Sequence, residues 1–316
     1  MTGTRMNTRI ITITALFLAL AAGRLQAAQC SDADIEALGW LDKMSRSLHE
    51  VSYHGTLTLQ RGDEEQVMHV SHRVADGVSE QNLARLHGQK IRVTRSGHPQ
   101  DCVHPGHELL RIGDTISSDN CGIANYYSFQ LGDGERIADR DTVQLAISPR
   151  DGYRYGYRVY LDRENGLLLK SETLDKQASV LETVQFSSLS YSSDMPGVTD
   201  TPRVLQARHP AAETKPRKPV QREWTLRFIP AGFMPTESAS ARSGRRSYTD
   251  GLAVFSIFLE HLDRPVDLPP GVYRKGVTTG YHTNLVIEQQ PVRVTAVGEV
   301  PVETLRQVAV SIQWVD

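Results

Sequence analysis

The stretch Ser148–Asp175, SPRDGYRYGYRVYLDRENGLLLKSETLD, carries the most regular pattern in the chain. Its odd positions read Tyr153, Tyr155, Tyr157, Val159 and Leu161, with Arg154, Gly156 and Arg158 between them. A period of two is the signature of a strand whose faces meet different surroundings. The run Asp162-Arg163-Glu164-Asn165-Gly166 then reads as a turn. Its glycine is suited to the positive φ that such a turn requires. Leu167 begins a return strand. The stretch is therefore expected to be a hairpin, aromatic and aliphatic on one side and basic on the other.

The same period recurs to either side. Val51, Tyr53, Gly55, Leu57 and Leu59 alternate with polar residues, and Met68, Val70 and Val74 follow a turn at Gly62-Asp63. Leu83 to Arg95 reads as a hairpin broken at His87-Gly88, and Ser179–Tyr191 as a further strand. Before them, Ser31 and Asp34 signal a helix start, followed by Ile35, Leu38, Leu41, Met44 and Leu48 at helical spacing. Many short strands with regular turns predict an antiparallel sheet or open barrel. One amphipathic helix is little cover for such a sheet, so a concave apolar face could enclose a cavity. Its candidate lining is Tyr53, Leu57, Leu59, Tyr153, Tyr155, Tyr157, Val159 and Leu161. An acyl chain there would gain about 0.8 kcal/mol per buried methylene.

Residues 194–221 differ in texture. Pro210, Pro216 and Pro219 sit among Arg203, Arg208, Lys215, Arg217 and Lys218, which reads as a solvated, semi-extended linker. A second unit is expected over 222–316. Its clearest strand is Leu252–Glu260 after the Asp250-Gly251 turn, with Ala253, Phe255, Ile257 and Leu259 on one face and Leu252, Val254 and Phe258 on the other. Val292–Val300 reads as another strand and Val302–Ile312 as a closing helix. Arg242, Arg245 and Arg246 flank Gly244 in a Ser-rich stretch, either a mobile basic loop or a docking patch for an acidic segment.

Residues 1–28 have the form of a secretory signal. Arg5 and Arg9 precede an apolar run from Ile10 to Ala22, and the small pair Ala27-Ala28 follows. A run of thirteen residues falls short of the roughly 20 that span a bilayer. Gln29 before Cys30 does not fit a lipidation site. Losing Arg5, Arg9 and Arg24, and no acid, takes the formal charge from −2 to −5, which gives no argument for nucleic acid. The expected compartment is the periplasm.

Three cysteines remain, and of the three pairings Cys102–Cys121, with 18 residues between, is favoured. Such a bridge would contribute about 3 kcal/mol on a loop-entropy account. His98, Cys102, His104, His107 and Cys121 would also suit zinc, but an oxidising compartment favours the disulfide, so no metal is assigned. No GxSxG elbow, GxGxxG, P-loop or HExxH is present. The chain reads as a binding protein without cofactor, not an enzyme.

Several blocks together carry a resemblance: the Ser148–Ser171 stretch, YHGTLTLQRG (53–62), IPAGFMP (229–235), YTDGLAVFSIFLE (248–260) and VGEVP (297–301). With them the chain resembles the MucB/RseB family of periplasmic sigma-factor regulators from about Trp40 to Ile312. The resemblance implies an α+β protein. Its N-terminal domain, over 29–193, would be a LolA-like unclosed antiparallel β-barrel with helical cover, followed by a smaller C-terminal α+β domain. It further implies binding to the periplasmic domain of a membrane-spanning anti-sigma factor, protection of that factor from proteolysis, and release when lipoprotein or lipopolysaccharide acyl chains bind. The Tyr153–Lys170 hairpin would be the lipid-facing element. Partner-contact candidates are Arg242, Arg245, Arg246, Phe255 and Phe258. Rotation about the linker is the expected coupling, and self-association is left open. The alternative is a lipoprotein carrier of the LolA type, which gives the second unit no role.

Overall fold

The computed structural model describes residues 34–75, 78–85, 92–96, 122–192, 222–236 and 244–315. The expected signal segment, the linker, all three cysteines, His98, His104, His107 and Arg242 lie outside them. Helix α1 (Ile35–Glu50) starts where the sequence indicates. Asp34 caps it, its carboxylate accepting from the backbone N–H groups of Glu36 and Ala37 at 3.0 and 3.2 Å. Such a cap stabilises a helix by about 1 kcal/mol. Its buried stripe is Ala37, Leu41 and Met44, whereas Ile35 is exposed.

The first sheet holds β1 (Tyr53–Arg61), β2 (Glu64–Ala75), β3 (Val78–Arg85), β4 (Arg92–Ser96), β5 (Tyr127–Gly132), β6 (Arg136–Ile137), β7 (Arg140–Pro149), β8 (Gly156–Asp162), β9 (Leu168–Leu174) and β10 (Val180–Ser190). The order is β4-β3-β2-β1-β10-β9-β8-β7-β5, with β6 on β7, and every pairing is antiparallel. Two meanders are joined by β1 against β10, and the end strands β4 and β5 do not pair, so the sheet stays unclosed. The opening hairpin is β8 and β9. Its turn closes through Gly166, whose φ is +79° and whose N–H donates to Asp162 O at 2.8 Å. A residue with a Cβ would be strained there.

A separate C-terminal sheet domain contains β11 (Trp224–Leu226), β12 (Met234–Pro235), β13 (Arg245–Thr249), β14 (Val254–His261), β15 (Gly271–Lys275), β16 (Thr278–Ile287), β17 (Gln290–Gly298), α2 (Val302–Ala309) and β18 (Ile312–Trp314). Six strands run in the order β12-β13-β14-β17-β16-β15, and β11 pairs with β18 as a ribbon. Ala253, Phe255, Ile257 and Leu259 face its core, as the alternation predicts. The closing helix ends earlier than expected, at Ala309. Ile312–Trp314 is drawn instead into the ribbon, where Trp314 lies opposite Trp224.

One expectation fails at the hairpin. The strand begins only at Gly156, and residues 150–154 form bends before it. Tyr153, Tyr155 and Arg154 are therefore not part of the period-two row. Within β8 both faces are buried: Tyr157, Val159 and Leu161 on one side, Tyr160 on the other. Arg154, expected on a wet exterior, is also buried.

Candidate functional site

The Ser148–Asp175 stretch serves three environments. Tyr157, Val159 and Leu161 pack under α1 against Ala37, Leu41 and Met44, with Leu145 and Ile147 of β7 beside them. This is filled core, and burying such side chains contributes about 1.5–3 kcal/mol each. The molecule's own helix thus plugs the row that was expected to line a cavity. The helix is also tied to the hairpin turn, where Lys43 Nζ donates to Arg163 O at 2.8 Å.

Among the described residues, an open cleft lies elsewhere in the first sheet. A cleft of about 150 Å³ is lined by Tyr53 and Leu57 from β1, Leu167 to Ser171 at the start of β9, and Val184 and Phe186 from β10. Tyr53 and Phe186 meet edge to face, 5.7 Å between centroids. Of the candidate lipid-contact residues, Tyr53 and Leu57 line this cleft, and Leu59 is buried farther along the same strand. Its volume is below the 300–1,000 Å³ of typical ligand pockets. Beside it, Asp162 accepts from Arg140 Nε at 2.8 Å and from the Tyr191 hydroxyl at 2.5 Å. Burial pushes the Asp162 carboxyl up, but these two hydrogen bonds, together with one from the Glu164 N–H and the charge of Arg140, outweigh it and hold the group below the usual range.

At its other end, the stretch joins the two sheets. Arg154 is fully enclosed, with Nη1 2.9 Å from Asp250 Oδ2 and Nη2 3.1 Å from Asp151 Oδ2. Nη2 also donates to Ala231 O. The guanidinium lies 4.9 Å from the rings of both Tyr126 and Phe233 and 5.5 Å from Tyr127. Cations over aromatic faces are favoured, most of all where water is excluded. Asp250 is held in turn: its Oδ1 accepts from the N–H groups of Leu252 and Ala253 at 2.9 and 2.7 Å, and its Oδ2 from the Tyr127 hydroxyl at 3.0 Å. Burial raises the Asp250 carboxyl above its ordinary range, against the lowering effects of the Ala253 N–H and Arg154. Burial, then Asp250, pushes the Tyr127 phenol up. Leu252, just past the turn, enters the core beneath α1.

Smaller contacts extend this seam. The Tyr155 hydroxyl is 3.3 Å from Thr279 Oγ1, Thr304 Oγ1 donates to Tyr153 O at 2.8 Å, and the Tyr153 ring packs on Phe228 at 5.5 Å. The blocks 148–171 and 248–260, distant in sequence, meet here. Sequence reading missed this because Arg154 and Asp250 each look like ordinary turn or surface residues; the signal that could have found it is a charged residue inside an otherwise apolar block.

The partner-contact candidates divide as well. Phe255 is fully buried, 5.1 Å from Phe233 and stacked on Tyr248 at 5.2 Å. It therefore presents no surface in this structure, because its face of β14 is the core face. Phe258, on the opposite face, is half-buried beneath the exposed Arg245, its cross-strand neighbour, with 5.8 Å between guanidinium and ring. Arg246 turns inward over Trp224 at 5.0 Å and lies 3.6 Å from Glu223. Arg245 and Phe258 thus form a surface pair and Arg246 does not join it. Among the described residues, no group of three or more His, Cys, Asp or Glu could hold a metal ion, and no helix is long and apolar enough to cross a membrane.

Comparison with known proteins shows matches along most of the chain. The family model described as MucB/RseB N-terminal domain matches residues 36–205, and that described as MucB/RseB C-terminal domain matches 218–313. The sigma factor AlgU regulatory protein MucB of Pseudomonas aeruginosa is 30% identical over 316 residues, covering 94% of this chain and 96% of that protein. The sigma-E factor regulatory protein RseB of Haemophilus influenzae is 23% identical, covering 94% and 98%. Among solved structures, MucB in complex with MucA(peri) matches with a TM-score of 0.71 at 29% identity, over 89% of this chain and 99% of that one. A crystal structure of MucB matches with a TM-score of 0.58 at 26% identity, over 89% and 98%.

Proposed function

The chain belongs to the MucB/RseB family, and we propose that it is a non-enzymatic periplasmic regulator that binds the periplasmic segment of a membrane-spanning anti-sigma factor. It shields that segment from proteolysis and lets go when an acyl chain enters the first sheet. The observation that carries this reading is the 0.71 TM-score to MucB complexed with MucA(peri), extending over both sheets. The lower score to the crystal structure of MucB, 0.58, supports taking the present arrangement as the partner-competent one.

The hairpin supplies a mechanical route for release. Its turn end, Leu167–Ser171, borders the cleft; its entry carries Arg154 and Tyr155 at the seam between the sheets. A cleft of about 150 Å³ must widen to admit a lipid tail. Widening displaces β8 and β9, and with them the Arg154 contacts. A ligand shifts such an equilibrium only by its differential affinity for the two states. Moving from 1:99 to 99:1 takes about 5.5 kcal/mol, which corresponds to about seven methylenes at about 0.8 kcal/mol each. One ordinary acyl chain suffices.

The test is a pull-down of the anti-sigma periplasmic fragment by the mature chain, followed by titration with a lipidated peptide and its unlipidated counterpart. The expected result is capture, then release by the lipidated form alone. Failure of capture overturns the regulator reading. Capture that is indifferent to lipidation retains the partner and removes the acyl-chain trigger.

A further inference from the structure

The cleft in the first sheet ends one rung short of the second domain. Its lining reaches Val184 of β10 and Ser171 of β9. Across β1 and β10, Leu57 lies opposite Phe186 and Leu59 opposite Val184. Alternation puts Arg61 and Glu182 next on the same face, and there Arg61 Nε is paired with Glu182 Oε2. Two apolar rungs and one ionic rung thus form a single row. The β15–β16 hairpin of the second domain stands on the ionic one. Gly276 at its tip has φ +59°, and a Cβ there would lie 2.8 Å from Arg61 Cδ, 3.0 Å from Arg61 Nε and 2.9 Å from Glu182 Oε2. Val272, Tyr273, Arg274 and Lys275 leading to the tip are exposed, whereas Val277 within it is buried. A hairpin exposed along its strand and buried at its tip is covered from outside its own sheet. Two contacts flank the tip: Lys275 Nζ lies 3.7 Å from Glu64 Oε2, and Arg274 Nη2 donates to the Tyr155 hydroxyl at 3.4 Å.

We propose that this turn is a displaceable stop at the end of the acyl-chain site, so that the cleft discriminates by the length of the chain it takes up. The inference rests on the acyl-chain reading of the cleft. A short chain fills the space up to Val184 and leaves the turn seated. A longer one runs on past the Leu59–Val184 rung and reaches the Arg61–Glu182 pair beneath the turn. Gly276 leaves no room there for even one added carbon, so the turn has to lift. A ligand displaces the seated turn only by binding the lifted state better. Steric overlap supplies that difference for long chains alone, and the extra methylenes they bury favour the exchange. Lifting separates Lys275 from Glu64 and Arg274 from Tyr155, so occupancy of the first sheet reaches the second domain along β10 without passing through Arg154.

Seating of the turn can be read directly, because Lys275 and Glu64 are both exposed and a carbodiimide joins such a pair into an amide. The mature chain is cross-linked alone, with an octanoylated peptide and with the same peptide palmitoylated, and the Lys275–Glu64 product is quantified by mass spectrometry. Calorimetry reports binding of each peptide. The product is expected in the free chain, to persist with the octanoylated peptide, and to fall about tenfold once the palmitoylated peptide saturates the chain. Gly276→Asn keeps a positive φ, which Asn tolerates, and thrusts a side chain at Arg61 and Glu182. It should give little product and bind the palmitoylated peptide about tenfold more tightly than wild type, since the stop no longer limits the competent fraction. Its affinity for the octanoylated peptide should be unchanged. Product that is absent from the free chain, that survives saturation with the palmitoylated peptide, or that both peptides remove equally overturns the proposal. If neither peptide binds, the acyl-chain reading itself falls and the stop with it. Should Gly276→Asn not fold, the wild-type series decides alone.

Discussion

Asp250→Ala is expected to destabilise the chain by about 3–5 kcal/mol, the range for breaking a buried ion pair from one side. Its loss leaves the enclosed Arg154 guanidinium with Asp151, 3.1 Å from Nη2, in place of the buried pair, and no solvent-exposed surface to retreat to. It also removes an acceptor for Tyr127 and two backbone N–H groups. Asp250→Asn keeps the turn hydrogen bonds and isolates the charge contribution, so it should cost less. Arg154→Met reverses the logic, leaving a buried carboxylate whose proton uptake relieves part of the loss. The double variant Arg154→Met with Asp250→Asn should lose less than the sum of the singles, because neither partner is left as an unpaired charge. Urea unfolding of all four chains measures the coupling. Strict additivity would show that the pair does not act as a unit. Because Arg154 leads into β8 of the first sheet and Asp250 lies in the turn between β13 and β14 of the second, cooperative unfolding of wild type should split into two transitions in Asp250→Ala.

Phe255→Ala and Phe258→Ala should part company in the same way. Phe255 is enclosed between Phe233 and Tyr248, so its removal leaves a cavity and should cost about 3–5 kcal/mol. Phe258 is half-buried under Arg245, and truncating it should cost about 1 kcal/mol or less. Binding to the anti-sigma fragment, measured where both variants remain folded, separates packing from contact. If the partner rests on the β13–β14 surface, Phe258→Ala and Arg245→Ala weaken capture with little loss of stability. A stable Phe255→Ala would contradict the core assignment.

Local patterns were legible because their causes are local. The Asp34 cap, the glycine of the hairpin turn and the alternation along β14 each depend on a few neighbouring residues. The two errors at the opening hairpin have a common source. Alternation from Tyr153 to Leu161 matches a strand by period, yet a period does not reveal where the strand starts or what covers it. Bends before Gly156 hand Tyr153 and Tyr155 to the seam. Helix α1 fills the face where open space was expected, and the cleft forms instead around Tyr53, Leu57 and Leu167. Arg154 was misread for a similar reason, since a basic residue beside tyrosines is usually solvated, whereas Arg154 finds Asp250 and three rings.

By itself, the amino-acid sequence determined the strand-rich class, the helix at the start of the first sheet, the turn chemistry and, through its resembling blocks, the family. Only the tertiary structure decided which apolar row is core, where a cleft remains, and that Arg154 meets the other sheet. The reason is that burial of a charge is set by partners distant along the chain. Tyr127 and Asp250, 123 residues apart, meet only once both sheets have folded.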